Sequence, residues 1–154
     1  MTQTLVVVAV VAAVIAALAL AARLLLTAVT VRGGSMTPSL NPGDVLLVLR
    51  HRRRTRPGRI VVVQRPDPVT GWAAPPAGKG WYVKRVMAVP GDVVPSWVAG
   101  EQPERVPPGM LVVRGDHPLS EDSKQWGLCP AEQMYGVVLC RLRAASSDVI
   151  PQNG

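Results

Sequence analysis

The sequence predicts a mainly β fold: a compact all-β domain carried on one N-terminal transmembrane helix. Three observations predict it. An unbroken apolar run, Leu5 to Ala22, opens the chain and resumes after Arg23 as Leu24-Leu25-Leu26-Thr27-Ala28-Val29. Behind it, short runs of Val, Leu and Ile alternate with turn clusters such as Asn41-Pro42-Gly43-Asp44 and Pro90-Gly91-Asp92. The composition, with 14 Gly and 15 Pro in 154 residues and no Phe, favours turns and short strands over soluble helices.

The apolar run is long enough to cross the hydrocarbon core of a bilayer, and Arg23 near its end can snorkel to the head groups. A cleaved signal peptide is the competing reading. Against it, Met1-Thr2-Gln3-Thr4 carries no Lys or Arg, and the run is long for a signal-peptide core. Residues 1–30 are therefore expected to be a retained anchor. The flanking positive charges, Arg23 and Arg32, lie on the C-terminal side, which by the positive-inside rule alone would leave the domain in the cytoplasm. Large domains are translocated with little regard to that rule.

About 120 residues follow, enough for one modest core. Val45–Leu49 reads as a buried strand. A basic loop, Arg50–Arg59, leads to a second, Ile60–Val63. Residues 70–80 form a Gly/Pro loop. Trp81–Val89 is a third strand, 93–108 is irregular chain or a short hairpin, Met110–Arg114 is a fourth strand, and Tyr135–Arg143 closes the domain. The domain spans 31–143, and 144–154 is a loose tail.

The formal charge of +7 favours anionic partners. For the Arg50–Arg59 loop this means either a solvated turn or contact with membrane lipid. Nucleic acid is not expected, since no aromatic residues interleave the arginines for base stacking. Cys129 and Cys140 match no zinc spacing and have no His nearby, so neither a metal nor an organic cofactor is expected. They could form a disulfide in an oxidising compartment or be two small buried apolar residues.

Three stretches carry candidate chemistry. In Gly33-Gly34-Ser35-Met36-Thr37-Pro38-Ser39-Leu40, glycines permit close backbone approach and proline fixes the path beyond the hydroxyl. On the Trp81–Val89 strand, alternation puts Lys84 on the face of Tyr82, Val86 and Ala88. A lysine there is either an edge residue with a wet ammonium or a desolvated, neutral general base. Keeping a free lysine neutral at pH 7 costs about 4.6 kcal/mol, most of which burial can remove. Gly115 to Gly127 is dense in short polar side chains and suits a hydrogen-bonded support. A Ser-His-Asp site using His117 with Asp116 or Asp122 is conceivable, but no other residue favours it.

Taken in order, these stretches resemble the type I signal peptidase family, the membrane-bound Ser-Lys proteases. The family's Ser-Met-x-Pro-Thr-Leu box stands here as Ser35-Met36-Thr37-Pro38-Ser39-Leu40. Its Lys-Arg-Val-x-x-x-Pro-Gly-Asp strand is Lys84-Arg85-Val86-Met87-Ala88-Val89-Pro90-Gly91-Asp92. Its Gly-Asp-Asn…Ser-x-Asp-Ser-Arg…Gly box is Gly115-Asp116-His117…Ser120-Glu121-Asp122-Ser123-Lys124…Gly127.

The resemblance implies a membrane-bound serine endopeptidase that cuts signal or leader peptides from preproteins through an acyl-enzyme, without cofactor. Ser35 would be the nucleophile and Lys84 the general base. Ser120 would orient the Lys84 amine, Asp122 and Lys124 would pair to brace the loop, and the Ser35 N–H would face the oxyanion. Met36, Leu40, Tyr82 and Val83 would line the substrate groove. The domain would lie outside the cytoplasm, on a single-pass anchor in the cell membrane. Gly33 stands where some members have a serine that donates a second oxyanion bond, His117 replaces an Asn, and Lys124 replaces an Arg. Two other readings stay open: a maturation protease of the same fold for one dedicated precursor, and a non-catalytic, membrane-tethered basic binding module.

Overall fold

The computed structural model describes residues 2–50, 54–67, 71–72 and 80–145. It is mostly β, as expected, with one long helix in front. Helix α1 (Thr2–Leu25) has 24 residues, about 36 Å at 1.5 Å per residue, against a hydrocarbon core of about 30 Å. Its residues Gln3–Leu25 are long and apolar enough to cross a membrane, and none of this span is buried against the rest of the protein. The helix stops earlier than the apolar run suggests. Leu26–Thr30 is strand β1, paired antiparallel with β2 (Val45–Arg50) from Leu26 opposite Leu49 to Thr30 opposite Val45. Two threonines and a valine in five residues suit an extended chain, and a neighbouring strand supplies partners that a helix end lacks.

The remaining elements are β3 (Ile60–Gln64), β4 (Trp81–Ala88), β5 (Met110–Arg114), a one-turn helix α2 (Ser123–Trp126), β6 (Cys129–Pro130), a 3₁₀ turn at Ala131–Gln133 and β7 (Met134–Arg143). The strands form one antiparallel sheet in the order β1-β2-β7-β3-β4-β5-β6. The expected strands all appear; β1, β6 and the short helical turns are additional. Between β4 and β5 the chain makes a minimal hairpin, with Val93 bridged to Arg105. Within the predicted loops and tail, residues 51–53, 68–70, 73–79 and 146–154 lie outside the described residues.

The sheet curls so that alternate side chains feed two cores. Val62 packs with Val31, Met36, Leu40, Leu46, Val48, Val83 and Val138. Its neighbours Val61 and Val63 point the other way, with Val86, Leu111, Val113, Cys129, Met134 and Val137. This is why Ile60–Val63 reads as a continuous apolar run: both faces of β3 are covered. A smaller cluster of Ala88, Val98, Val106 and Val112 seals the hairpin side. Both cysteines are free: Cys129 is fully buried, and Cys140 is exposed on β7. Burial pushes the Cys129 thiol up to about 12.

Candidate active site

Ser35 sits in a tight turn between β1 and β2. The turn is tied at its base by Val31 N–H to the Asp44 carbonyl (2.8 Å) and Gly43 N–H to the Val31 carbonyl (2.9 Å). Thr37 closes it, donating its N–H (3.1 Å) and its hydroxyl (2.8 Å) to the Gly34 carbonyl. Met36 and Leu40 are buried in the first core and anchor the turn, leaving Ser35 partly exposed between them and the exposed glycines. The Thr37–Pro38 peptide is cis. Gly33 has φ +75° with nothing near its missing Cβ.

Lys84 is the largest fully buried side chain of the described residues. It comes from the middle of β4, opposite Val61 of β3. Its amine donates to Ser120 Oγ at 2.8 Å. The rings of Tyr82 and Trp126 flank it, with centroids 4.9 and 5.6 Å from Nζ. Burial lowers its pKa from 10.5 to about 8; Asp122 and Glu121 pull it upward, and Lys124 pulls it further down. Lys84 and Ser35 line one cleft of about 320 Å³, together with Tyr82, His117, Leu119, Ser120 and Glu121.

The segment after β5 holds Ser120 in place by backbone bonds. Asp122 is fully buried. One of its oxygens accepts Gly115 N–H (2.9 Å) and the other accepts Lys124 N–H (3.1 Å). It is also the N-cap of α2 in a reciprocal box, since Gln125 Oε1 accepts Asp122 N–H at 3.0 Å. Ser123 Oγ accepts Val113 N–H at 3.0 Å, stitching the turn to β5.

The expected Asp122–Lys124 brace is therefore mainly a carboxylate-to-backbone brace. The Lys124 amine stands 3.9 Å from Asp122 Oδ2 and donates instead to the Pro118 carbonyl at 2.8 Å. A lysine is a compact charge without the planar fork of arginine, and this one reaches the loop carbonyl beside it.

His117 ties the third stretch to the first: its N–H donates to the Ser35 carbonyl at 3.1 Å, and its carbonyl accepts Ser120 N–H at 3.0 Å. Its Nδ1 accepts Leu119 N–H at 3.2 Å. Gly115 is obligatory here, because a Cβ at that position would run into Ser120 and the Ser35 carbonyl. Asp116, one conceivable partner of His117, is held by Arg85. Arg85 Nε donates to Oδ1 at 2.9 Å and Nη2 to Oδ2 at 2.6 Å. The pair raises the Arg85 pKa and holds the Asp116 carboxyl below its usual range. Arg85 Nη1 also bonds the Gly58 carbonyl at 2.9 Å, so one guanidinium joins the basic loop to the third stretch.

All three stretches singled out in the sequence thus meet at one cleft. The four expected groove residues divide. Tyr82 is partly exposed on the cleft wall, while Met36, Leu40 and Val83 are buried behind it in the first core. Sequence reasoning missed the Arg85–Asp116 clamp and the Trp126 wall, because both depend on which strands pair. The Asp122-x-x-Gln125 capping signal was readable.

A family model described as signal peptidase, peptidase S26, matches residues 2–96. That span holds the Ser35 turn and the Lys84 strand; the Gly115–Gly127 stretch lies beyond it. The chain is also 36% identical over 103 residues to mitochondrial inner membrane protease subunit 2 of Mus musculus, a match covering 63% of this chain and 55% of that protein. The match thus spans about half the length of that curated relative. Because the family model covers more than half of the sequence, this chain belongs to the signal peptidase family, peptidase S26.

Proposed function

We propose that the chain is a membrane-anchored serine endopeptidase that removes signal or leader peptides with Ser35 as nucleophile and Lys84 as general base. The observation that carries this reading is the Lys84 amine. It is buried, bonded to Ser120 Oγ, and held near a pKa of about 8 in a cleft that Ser35 also lines. At pH 7 a group with that pKa is neutral about one time in ten, and deprotonating it costs about 1.4 kcal/mol rather than nearly 5.

Ser35 Oγ attacks the scissile carbonyl carbon and its proton passes to Lys84 Nζ. The tetrahedral oxyanion faces the Ser35 backbone N–H. The Tyr82 and Trp126 rings help to stabilise the new ammonium. Lys84 then gives the proton to the departing amine, leaving an ester on Ser35. A water, deprotonated by the same lysine, hydrolyses that ester. Ser120 orients the amine through both steps, and Asp122 holds Ser120 in position. The substrate lies extended along the cleft wall at Tyr82, and Met36, Leu40 and Val83, buried behind that wall, hold the turn and strand that shape it. The anchor is single-pass in the cell membrane, and the domain is extracytoplasmic.

A dedicated precursor, in place of many preproteins, is favoured by one feature: Gly33 has no hydroxyl to donate a second oxyanion bond, a loss of about 2.7–4 kcal/mol where such a donor is used. The test is cleavage of a model preprotein with an Ala-x-Ala site by the detergent-solubilised chain. Wild type should cut, and Ser35→Ala and Lys84→Ala should not. Equal cleavage by either variant overturns the dyad. Labelling of the exposed Cys140 from each side of the membrane locates the domain; a cytoplasmic domain overturns the signal peptidase reading.

A further inference from the structure

We propose that the end of the basic loop forms a binding site for the phosphate headgroup of an anionic membrane lipid. The loop has no part in the chemistry above, yet it is not a plain solvated turn. Arg54, Thr55, Arg56 and Arg59 fold back against Val137 and Leu139 of β7 and enclose a pocket of about 340 Å³. Three arginines line it, and none of its described lining residues is acidic. Arg59 is fixed by its bond to the Val138 carbonyl at 3.0 Å. The Thr55 hydroxyl at the same place is buried and has no hydrogen-bond partner among the described residues. Arginine forks match the paired oxygens of a phosphate, and a threonine hydroxyl can supply one more donor.

Two further observations choose a lipid over a free phosphate. The first is position. Leu26, the residue after α1, is opposite Leu49 of β2, and Leu49 is opposite Val137 of β7. Two strand spacings, about 10 Å, therefore separate the end of the membrane helix from the pocket wall. The second is what adjoins the pocket. Arg54 and Thr55 also line a larger cavity of about 750 Å³, bounded chiefly by Val89, Pro90, Met110, Leu111 and Pro130, with Glu132 as its one acidic residue among those described. A cationic pocket that shares Arg54 and Thr55 with a mainly apolar cavity matches a ligand with a charged head and a hydrocarbon tail. Leu139, half exposed, adds apolar contact at the pocket lining.

The test uses the full chain in non-ionic detergent, with thermal unfolding followed as phosphatidylglycerol, phosphatidylcholine or inorganic phosphate is added. Phosphatidylglycerol should raise the Tm saturably, and phosphatidylcholine and inorganic phosphate should not. Arg54→Gln/Arg56→Gln should need about 30-fold more phosphatidylglycerol for the same shift. A charge-matched control, Arg105→Gln/Arg143→Gln, removes arginines away from the pocket and should keep the wild-type response. Equal shifts with both lipids, an unchanged loop variant, or an equal loss in the control overturn the proposal. A shift with inorganic phosphate alone overturns the lipid and leaves a free-anion site. None of these readouts depends on peptide cleavage, so the result is separate from the peptidase reading.

Discussion

The Lys84 amine and the Ser120 hydroxyl are joined by a 2.8 Å hydrogen bond, and each residue is almost wholly closed to solvent. They are 36 residues apart in sequence. Lys84 belongs to β4 and Ser120 to the segment after β5, and the β4–β5 pairing of Arg85 with Arg114 brings them together. Ser120→Ala should leave the amine without its acceptor and free to swing. Cleavage should fall by 10- to 100-fold in kcat with KM little changed, because a hydrogen bond to a charged group is worth about 1.5–3 kcal/mol. Steady-state kinetics on the model preprotein would check this; an unchanged kcat would remove Ser120 from the mechanism.

With Lys84 as the proposed general base, its pKa predicts the pH profile. kcat/KM should rise with pH and level off above about 8, as the amine loses its proton. Glu121 shares the cleft and stabilises the ammonium, so Glu121→Gln should move the rising limb to lower pH. Arg65 and the Tyr82 hydroxyl, at 3.5 and 3.4 Å from its carboxylate, would lose that partner without touching the amine. A limb that stays in place would show that Glu121 does not act on Lys84.

The same group makes stability depend on pH, with a definite sign. The folded pKa of about 8 lies below the ordinary 10.5, so between these values the unfolded chain binds the proton more strongly. Relative to Lys84→Met, the wild type should show flat, lowest stability below pH 8. It should gain on the order of 3 kcal/mol as pH climbs to about 10.5. Denaturant unfolding of both chains across pH 7–10.5 measures the gap, and parallel curves would contradict a desolvated amine.

Asp122 fastens the support loop at both ends. Asp122→Ala strands the buried Gly115 N–H and removes the cap of α2, and should cost about 2–4 kcal/mol of stability. Lys124→Gln, which loses one carbonyl contact and a distant ion pair, should cost under about 1 kcal/mol. Thermal unfolding distinguishes the two, and equal losses would restore the ion pair as the main brace.

The Arg85–Asp116 clamp predicts a loss at low pH. Asp116 carries a depressed pKa, so its contribution is complete above its ordinary value of 3.8 and disappears as pH falls through the folded value. Asp116→Asn should destabilise the chain by about 2 kcal/mol at pH 7, and the gap to wild type should close in acid. A gap that does not narrow at all as pH falls would assign the effect to packing instead of charge.

Local chemistry made much of this protein legible in advance. The apolar run announced a membrane-length helix, the Val-rich runs announced strands, Ser35 and Lys84 stood out by residue type and setting, and Ser120 was picked out by the resemblance to the signal peptidase motifs. What the residues could not announce was where neighbours compete for the same chain. Leu26–Thr30 is apolar enough to prolong α1, yet β2 offers it a full ladder, so it becomes β1. Lys124 is close enough in sequence to pair with Asp122, yet that carboxylate is already engaged by two backbone N–H groups. Lys84 could have kept its ammonium in water. Only the curl of the sheet puts Tyr82, Trp126 and Ser120 around it, and that enclosure lowers its pKa. Composition and spacing fix what each segment can do alone, while the energy of a buried charge depends on everything packed against it.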